Sequence, residues 1–70
     1  MRDELILGID LGTTNIKVAA FSINGEMVAV GSKPTPSYSP RPGWTEHDPS
    51  EIRDSLISAI REVVERSKDR

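Results

Sequence analysis

The sequence contains no cysteine, which excludes stabilising disulfides and a cysteine-ligated zinc and fits a cytoplasmic protein. A basic cluster is missing too. Nine Lys and Arg against eleven Asp and Glu leave a formal net charge of −2 and an isoelectric point near 5.2, which argues against a nucleic-acid face or an anionic-membrane face. No apolar run reaches the length of a membrane span, and Met1-Arg2-Asp3-Glu4 lacks the charged-then-apolar order of a secretory signal. Length itself is scarce. A chain of 70 residues buries only about 60% of its unfolded surface, and a ligand cradle, an acceptor pocket and a closing lid rarely fit within one. The chain is therefore expected to be a fragment of something larger.

What is present divides into three parts. Leu5-Ile6-Leu7-Gly8-Ile9 is a continuous apolar run, the pattern of a strand covered on both faces. From Asn15 to Ile23, Ile16, Val18 and Ala20 alternate with Lys17, Ala19 and Phe21, a second strand with two distinct faces. Asn24-Gly25 is a strong hairpin signal of type I′, a turn with positive φ at both central residues, and it leads into a third strand carrying Met27 to Val30. Strands are expected over about 4–10, 15–23 and 26–33, joined as an antiparallel meander. Between Pro34 and Pro49 five prolines rule out helix and interior strand. Tyr38 and Trp44 in that stretch need packing partners, so residues 34–48 read as an ordered loop over the body, with a disordered linker as the alternative.

Asp48-Pro49-Ser50-Glu51 is a helix start: an N-cap carboxylate, proline at the first helical position and Glu to complete a capping box. A helix over about 49–67 follows, with Ile52, Leu56, Ala59, Ile60, Val63 and Val64 on one stripe. Arg61 with Glu65 and Glu62 with Arg66 are spaced for ion pairs, and Arg66, Lys68 and Arg70 suit the negative end of the helix dipole. The fold class is α+β, a three-stranded antiparallel meander plus one amphipathic helix. One helix covers one side of such a sheet. Ile6 and its neighbours on the other side are expected to stay open, so that the chain self-associates or is poorly stable alone.

The chemistry-bearing stretch is Gly8-Ile9-Asp10-Leu11-Gly12-Thr13-Thr14-Asn15-Ile16-Lys17. It delivers a carboxylate, a glycine and three short polar side chains into a tight turn between two strands. Glycine at position 12 admits an anion to backbone N–H groups, Thr13 and Thr14 add hydroxyl donors, and Asp10 is placed to hold a hydrated Mg²⁺ facing them. An ordinary β-hairpin capped by Thr and Asn is the other reading. The Walker pattern is absent, and Gly8, Asp10 and Gly12 do not make a dinucleotide fingerprint.

That stretch resembles the first phosphate motif of the actin, hexokinase and sugar-kinase superfamily, whose nucleotide domains have a ribonuclease H-like core. Pro42-Gly43-Trp44-Thr45-Glu46-His47-Asp48-Pro49 resembles a segment at a similar distance in the FGGY carbohydrate kinases. The resemblance covers about Leu5 to Val64 and is nearest to members acting on pentuloses, xylulose above all, or on polyols such as glycerol. It implies an N-terminal part of an ATP-dependent kinase that transfers the γ-phosphoryl of ATP to a sugar hydroxyl with Mg²⁺. By position, Asp10 would face Mg²⁺ through water and Gly12, Thr13 and Thr14 would touch the terminal phosphate. Asn15 stands where many members have serine, and Lys17, otherwise a solvated strand lysine, would reach the transferring phosphate. The resemblance assigns no catalytic residue to this chain, because the acceptor-activating aspartate and the adenosine pocket lie beyond the position of Arg70, so the chain alone is expected to be inactive. Glu46, His47 and Asp48 are adjacent on a loop and are not expected to share a metal; His47 reads as a packed or hydrogen-bonded loop residue. Two alternatives remain: another ATPase of the superfamily, or a stand-alone interaction module without turnover.

Overall fold

The computed structural model describes residues 4–68. The expected contribution of Arg70 to the helix end and the reading of Met1 to Asp3 lie outside the described residues. Leu5–Leu11 (β1), Asn15–Ser22 (β2) and Met27–Pro34 (β3) form an antiparallel sheet in the order β1-β2-β3, and Pro49–Ser67 is helix α1. This is the α+β meander with one helix, with strand ends displaced by about a residue. Pro34 closes β3 instead of following it, which an outer strand tolerates because its missing N–H is needed by no further neighbour.

Register explains the core. Leu11, Ile9 and Leu7 sit opposite Ile16, Val18 and Ala20, which in turn sit opposite Lys33, Gly31 and Ala29. Paired residues share a face, so all nine project to one side of the sheet. Helix α1 lies on that side. Val18 and Ala20 are buried with Ala59 and Val63 of the helix, flanked by Leu5, Val28, Ala29, Leu56 and Ile60. Gly31 is the point of closest approach, since a β-carbon there would meet Val63 Cγ2 at 2.9 Å. Val28 and Ala29, consecutive in sequence, both face the helix because the register shifts between Ala20 and Phe21. A bulge turns an extra residue toward the core.

Several expectations are corrected. β1 is not covered on both faces: α1 packs on β2 and β3 and, among the described residues, not on β1. Ile6, Leu7, Ile9 and Leu11 are therefore exposed. A single helix is too narrow to span three strands, so Leu7, Ile9 and Leu11 stay open even on the helix side. On the far side Ile6, Phe21 and Met27 are register neighbours, and Ile6 and Met27 are open. The Asn24-Gly25 turn is not type I′. Gly25 has φ 89° but Asn24 does not have positive φ, and the turn closes by Gly25 N–H donating to the Ser22 carbonyl and Ser22 N–H to that of Glu26, each at 2.9 Å. This is a three-residue loop in which only the final glycine is left-handed.

The loop at 34–48 ties itself together instead of lying under its aromatic rings. Tyr38 and Glu46 exchange backbone hydrogen bonds of 3.0 and 2.8 Å, and the Glu46 carboxylate raises the Tyr38 phenol above its ordinary pKa. Trp44 and Tyr38 stay 56% and 53% exposed, and Arg41 lies over the Trp44 ring at 5.2 Å, the partner that no core residue supplies.

At the helix start, Asp48 Oδ1 accepts from the Ser50 N–H at 2.9 Å and the Ser50 hydroxyl at 2.8 Å. Those bonds, the hydroxyl first, hold the Asp48 pKa down. The return bond from Glu51 that a capping box requires is not made among the described residues. Val64 is exposed at the margin of the apolar stripe. Glu62 pairs with Arg66 at 2.7 Å as expected and with Lys33 of β3 at 2.8 Å, whereas Glu65 turns to Lys68 and not to Arg61. Among the described residues no helix is long and apolar enough to cross a membrane.

Candidate functional site: the β1–β2 turn

The six residues singled out in the sequence, Asp10, Gly12, Thr13, Thr14, Asn15 and Lys17, all fall on the β1–β2 hairpin. Asp10 and Lys17 are cross-strand partners. They share the face turned away from the helix, and both are exposed. An acidic and a basic group therefore flank the turn on one side.

The turn differs from expectation at Gly12. Its N–H donates to the Asn15 carbonyl at 2.9 Å and so closes the hairpin inward; it is not open to an anion. Glycine is needed here for a steric reason, because a β-carbon would stand 2.9 Å from that same carbonyl oxygen. The amides and hydroxyls of Thr13 and Thr14, by contrast, have no partner among the described residues. Two consecutive N–H groups and two hydroxyls at an exposed tip are unspent donors suited to an anion.

Thr35, which the sequence reading did not single out, supports the turn from below. Its hydroxyl donates to the Gly12 carbonyl at 2.7 Å and its N–H to the Thr14 carbonyl at 2.9 Å. Beside it lies a shallow depression of about 180 Å³ lined by Leu11, Gly12, Thr13, Ile16, Thr35, His47 and Ile52. His47 Nδ1 donates to the Pro36 carbonyl at 2.9 Å, so it serves as a hydrogen-bonded loop residue. The only signal for Thr35 in the sequence is its position one residue beyond the strand that pairs with Asn15.

Comparison with known proteins gives the family of the chain. Residues 5–69 match the model of the N-terminal domain of the FGGY family of carbohydrate kinases. The chain belongs to that family. It is similar to glycerol kinases of Thermococcus onnurineus, 41% identical over 66 residues that make up 94% of this chain and 13% of that protein, and of Limosilactobacillus reuteri, 43% identical over 65 residues, 93% of this chain and 13% of that protein. The glycerol kinase of Aquifex aeolicus is 39% identical over 62 residues, 89% of this chain and again 13% of the relative. The chain thus spans 13% of the length of these curated relatives. Their names give the expected preference for a pentulose such as xylulose no support; they carry glycerol.

Proposed function

We propose that this chain is the N-terminal part of an ATP-dependent kinase acting on glycerol, and that the β1–β2 turn is its contact with the terminal phosphate of ATP. The observation that carries the reading is the pair of unspent amides at Thr13 and Thr14, flanked on one face by Asp10 and Lys17. Thr13 and Thr14 would bind phosphate oxygens by N–H and O–H donation, Asn15 would add an amide donor, and Lys17 would offset charge on the transferring group. Asp10 would supply the carboxylate for Mg²⁺. Among the described residues no three His, Cys, Asp or Glu side chains gather as a metal cage. A lone carboxylate suits a magnesium ion that keeps most of its waters and is otherwise held by substrate phosphates. Held there with ATP, such an ion would supply neutralisation of phosphate charge. The acceptor-activating base and the adenosine pocket belong to the remainder of such a protein, which leaves this chain alone without turnover.

The test is ADP release by the full-length protein that contains this chain, with glycerol and xylulose as competing acceptors. Glycerol is expected to give the higher kcat/KM by at least about tenfold, the scale of one well-made discriminating contact. ADP release with neither acceptor would overturn the reading. In the same protein Asp10→Asn keeps size and removes charge, so kcat is expected to fall at least about a hundredfold with little change in melting temperature. An unchanged kcat at saturating Mg·ATP would make Asp10 a turn residue only.

A further inference from the structure

We propose that Thr35 is the positioning residue of the phosphate turn: it fixes the peptide planes between Gly12 and Asn15 so that the Thr13 and Thr14 N–H groups stay outward. This rests on the reading of the turn as the ATP contact.

The hairpin closes by a single backbone bond, from Gly12 N–H to Asn15 O, and one bond leaves the residues between free to rock. Thr35 removes that freedom from outside the hairpin. In a trans peptide the C=O of one residue and the N–H of the next point in opposite directions. The 2.7 Å bond from Thr35 Oγ1 to Gly12 O pulls that carbonyl toward β3 and thereby aims the Thr13 N–H away from it. The 2.9 Å bond from Thr35 N–H to Thr14 O holds the plane two residues on. The intervening Thr13–Thr14 plane, which carries the Thr14 N–H, lies between two anchored neighbours. The threonine hydroxyl is half-buried, and its bond spans 23 residues of sequence, so it connects the turn to the end of β3 and not to a local loop. A donor group held before the ligand arrives costs no reorganisation when charge develops on it. Thr35 touches neither phosphate nor metal in this account; it acts through the turn.

Three substitutions in the full-length kinase separate this role from a merely structural one. Thr35→Val keeps the shape and the backbone bond and deletes the hydroxyl. It is expected to lower kcat/KM for ATP about three- to tenfold, the scale of one hydrogen bond, while KM for the acceptor stays within about twofold of the unsubstituted value. Thr35→Ser, which restores the donor, is expected to recover kcat/KM for ATP, and Thr35→Ala to show the same ATP-selective loss as Val. A Val or Ala variant with unchanged kcat/KM for ATP, a Ser variant that behaves like Val, or equal losses for ATP and acceptor would each overturn the proposal alone. An unsubstituted protein that phosphorylates neither glycerol nor xylulose overturns the functional reading first, and this proposal with it.

Discussion

The two outer strands of the sheet are treated in opposite ways. β3 ends on a proline, is covered on one face by α1, and has Arg66 reaching across to its Val30 carbonyl at 2.7 Å. Lys33 of β3 is tied to Glu62 of the helix as well. β1 lies at the margin of the helix: Leu5 reaches the core, Ile6, Leu7, Ile9 and Leu11 are exposed, and no such guard runs along its free edge among the described residues. Both strands are rich in small and aliphatic residues, so composition does not separate them. Position relative to the one helix does. A continuous apolar run is the pattern of a covered strand, but it does not say what covers it, and β1 leads directly into the β1–β2 turn with Ile6, Leu7, Ile9 and Leu11 exposed.

The largest effect that would break this contrast concerns association. An open seven-residue strand with an exposed apolar row, Leu7, Ile9 and Leu11, on one side and exposed Ile6 on the other is a template for pairing, so sedimentation velocity over a tenfold dilution series is expected to show concentration-dependent species for the isolated chain. A concentration-independent monomer with a sharp melt at high temperature would mean that the chain closes its own core and that β1 needs no partner.

A smaller effect sharpens the contrast between two residues that face each other across the sheet. Ile16 is 0% exposed and its register partner Leu11 is 57% exposed. Ile16→Ala is expected to cost about 2–5 kcal/mol, enough to abolish a cooperative urea transition in so small a domain, whereas Leu11→Ala should stay within about 0.5 kcal/mol. Similar midpoints for the two variants would show that β1 is as well covered as β2. On the covered side, Gly31→Ala forces Val63 or the helix to move and is expected to destabilise by about 1–3 kcal/mol; a stabilised Ala variant in the same urea series would mean that the helix is not seated as described.

Smallest is a pH effect on the strap between β3 and the helix. Lys33, with Arg66 behind it, holds the Glu62 carboxyl below its ordinary 4.5. A lowered carboxyl pKa contributes stability above the unfolded value, and that contribution disappears as pH falls through the lower, folded value. Melting temperature is therefore expected to drop on acidification below about pH 4.5, with a shallower drop in Glu62→Gln and in high salt. Asp48, whose pKa is also lowered, supplies the part that remains in the Gln variant. Identical acid limbs for the two proteins would remove Glu62 from the strap.

Much of this architecture was legible because local rules agree with the fold. The alternation of Ile16, Val18 and Ala20 marked the face that is buried, and Asp48-Pro49 marked the helix start that is capped. The turn at Asn24-Gly25 was located correctly but mistyped, since the choice between a two-residue and a three-residue loop goes with a bulge at Val28, whose side chain packs against the core. Tyr38 and Trp44 were misjudged because aromatic size says that a ring wants a neighbour and not which one; here one such neighbour is Arg41. In the site, the residues of the hairpin were readable as a contiguous motif. What was hidden is long-range: the closure at Gly12 consumes its N–H, and the support from Thr35 comes from a residue 23 positions away, a separation no local pattern records.

The bonds at the two ends of the β2–β3 hairpin make it a measured spacer. At one end Thr35 is fastened to Thr14, and at the other Ser22 is fastened to Gly25 and Glu26. Between Thr35 and the bulge at Val28, adding or deleting one residue without a further bulge would break the match at Thr35 and turn the strand's faces over, so the tip at Ile23-Asn24-Gly25 is the place in this hairpin where an engineered insertion is expected to be tolerated. That tip stands eight strand residues from the β1–β2 turn, roughly 25 Å at the usual rise per residue. A dye or affinity peptide placed there would report on assembly from a distance at which it leaves the turn undisturbed.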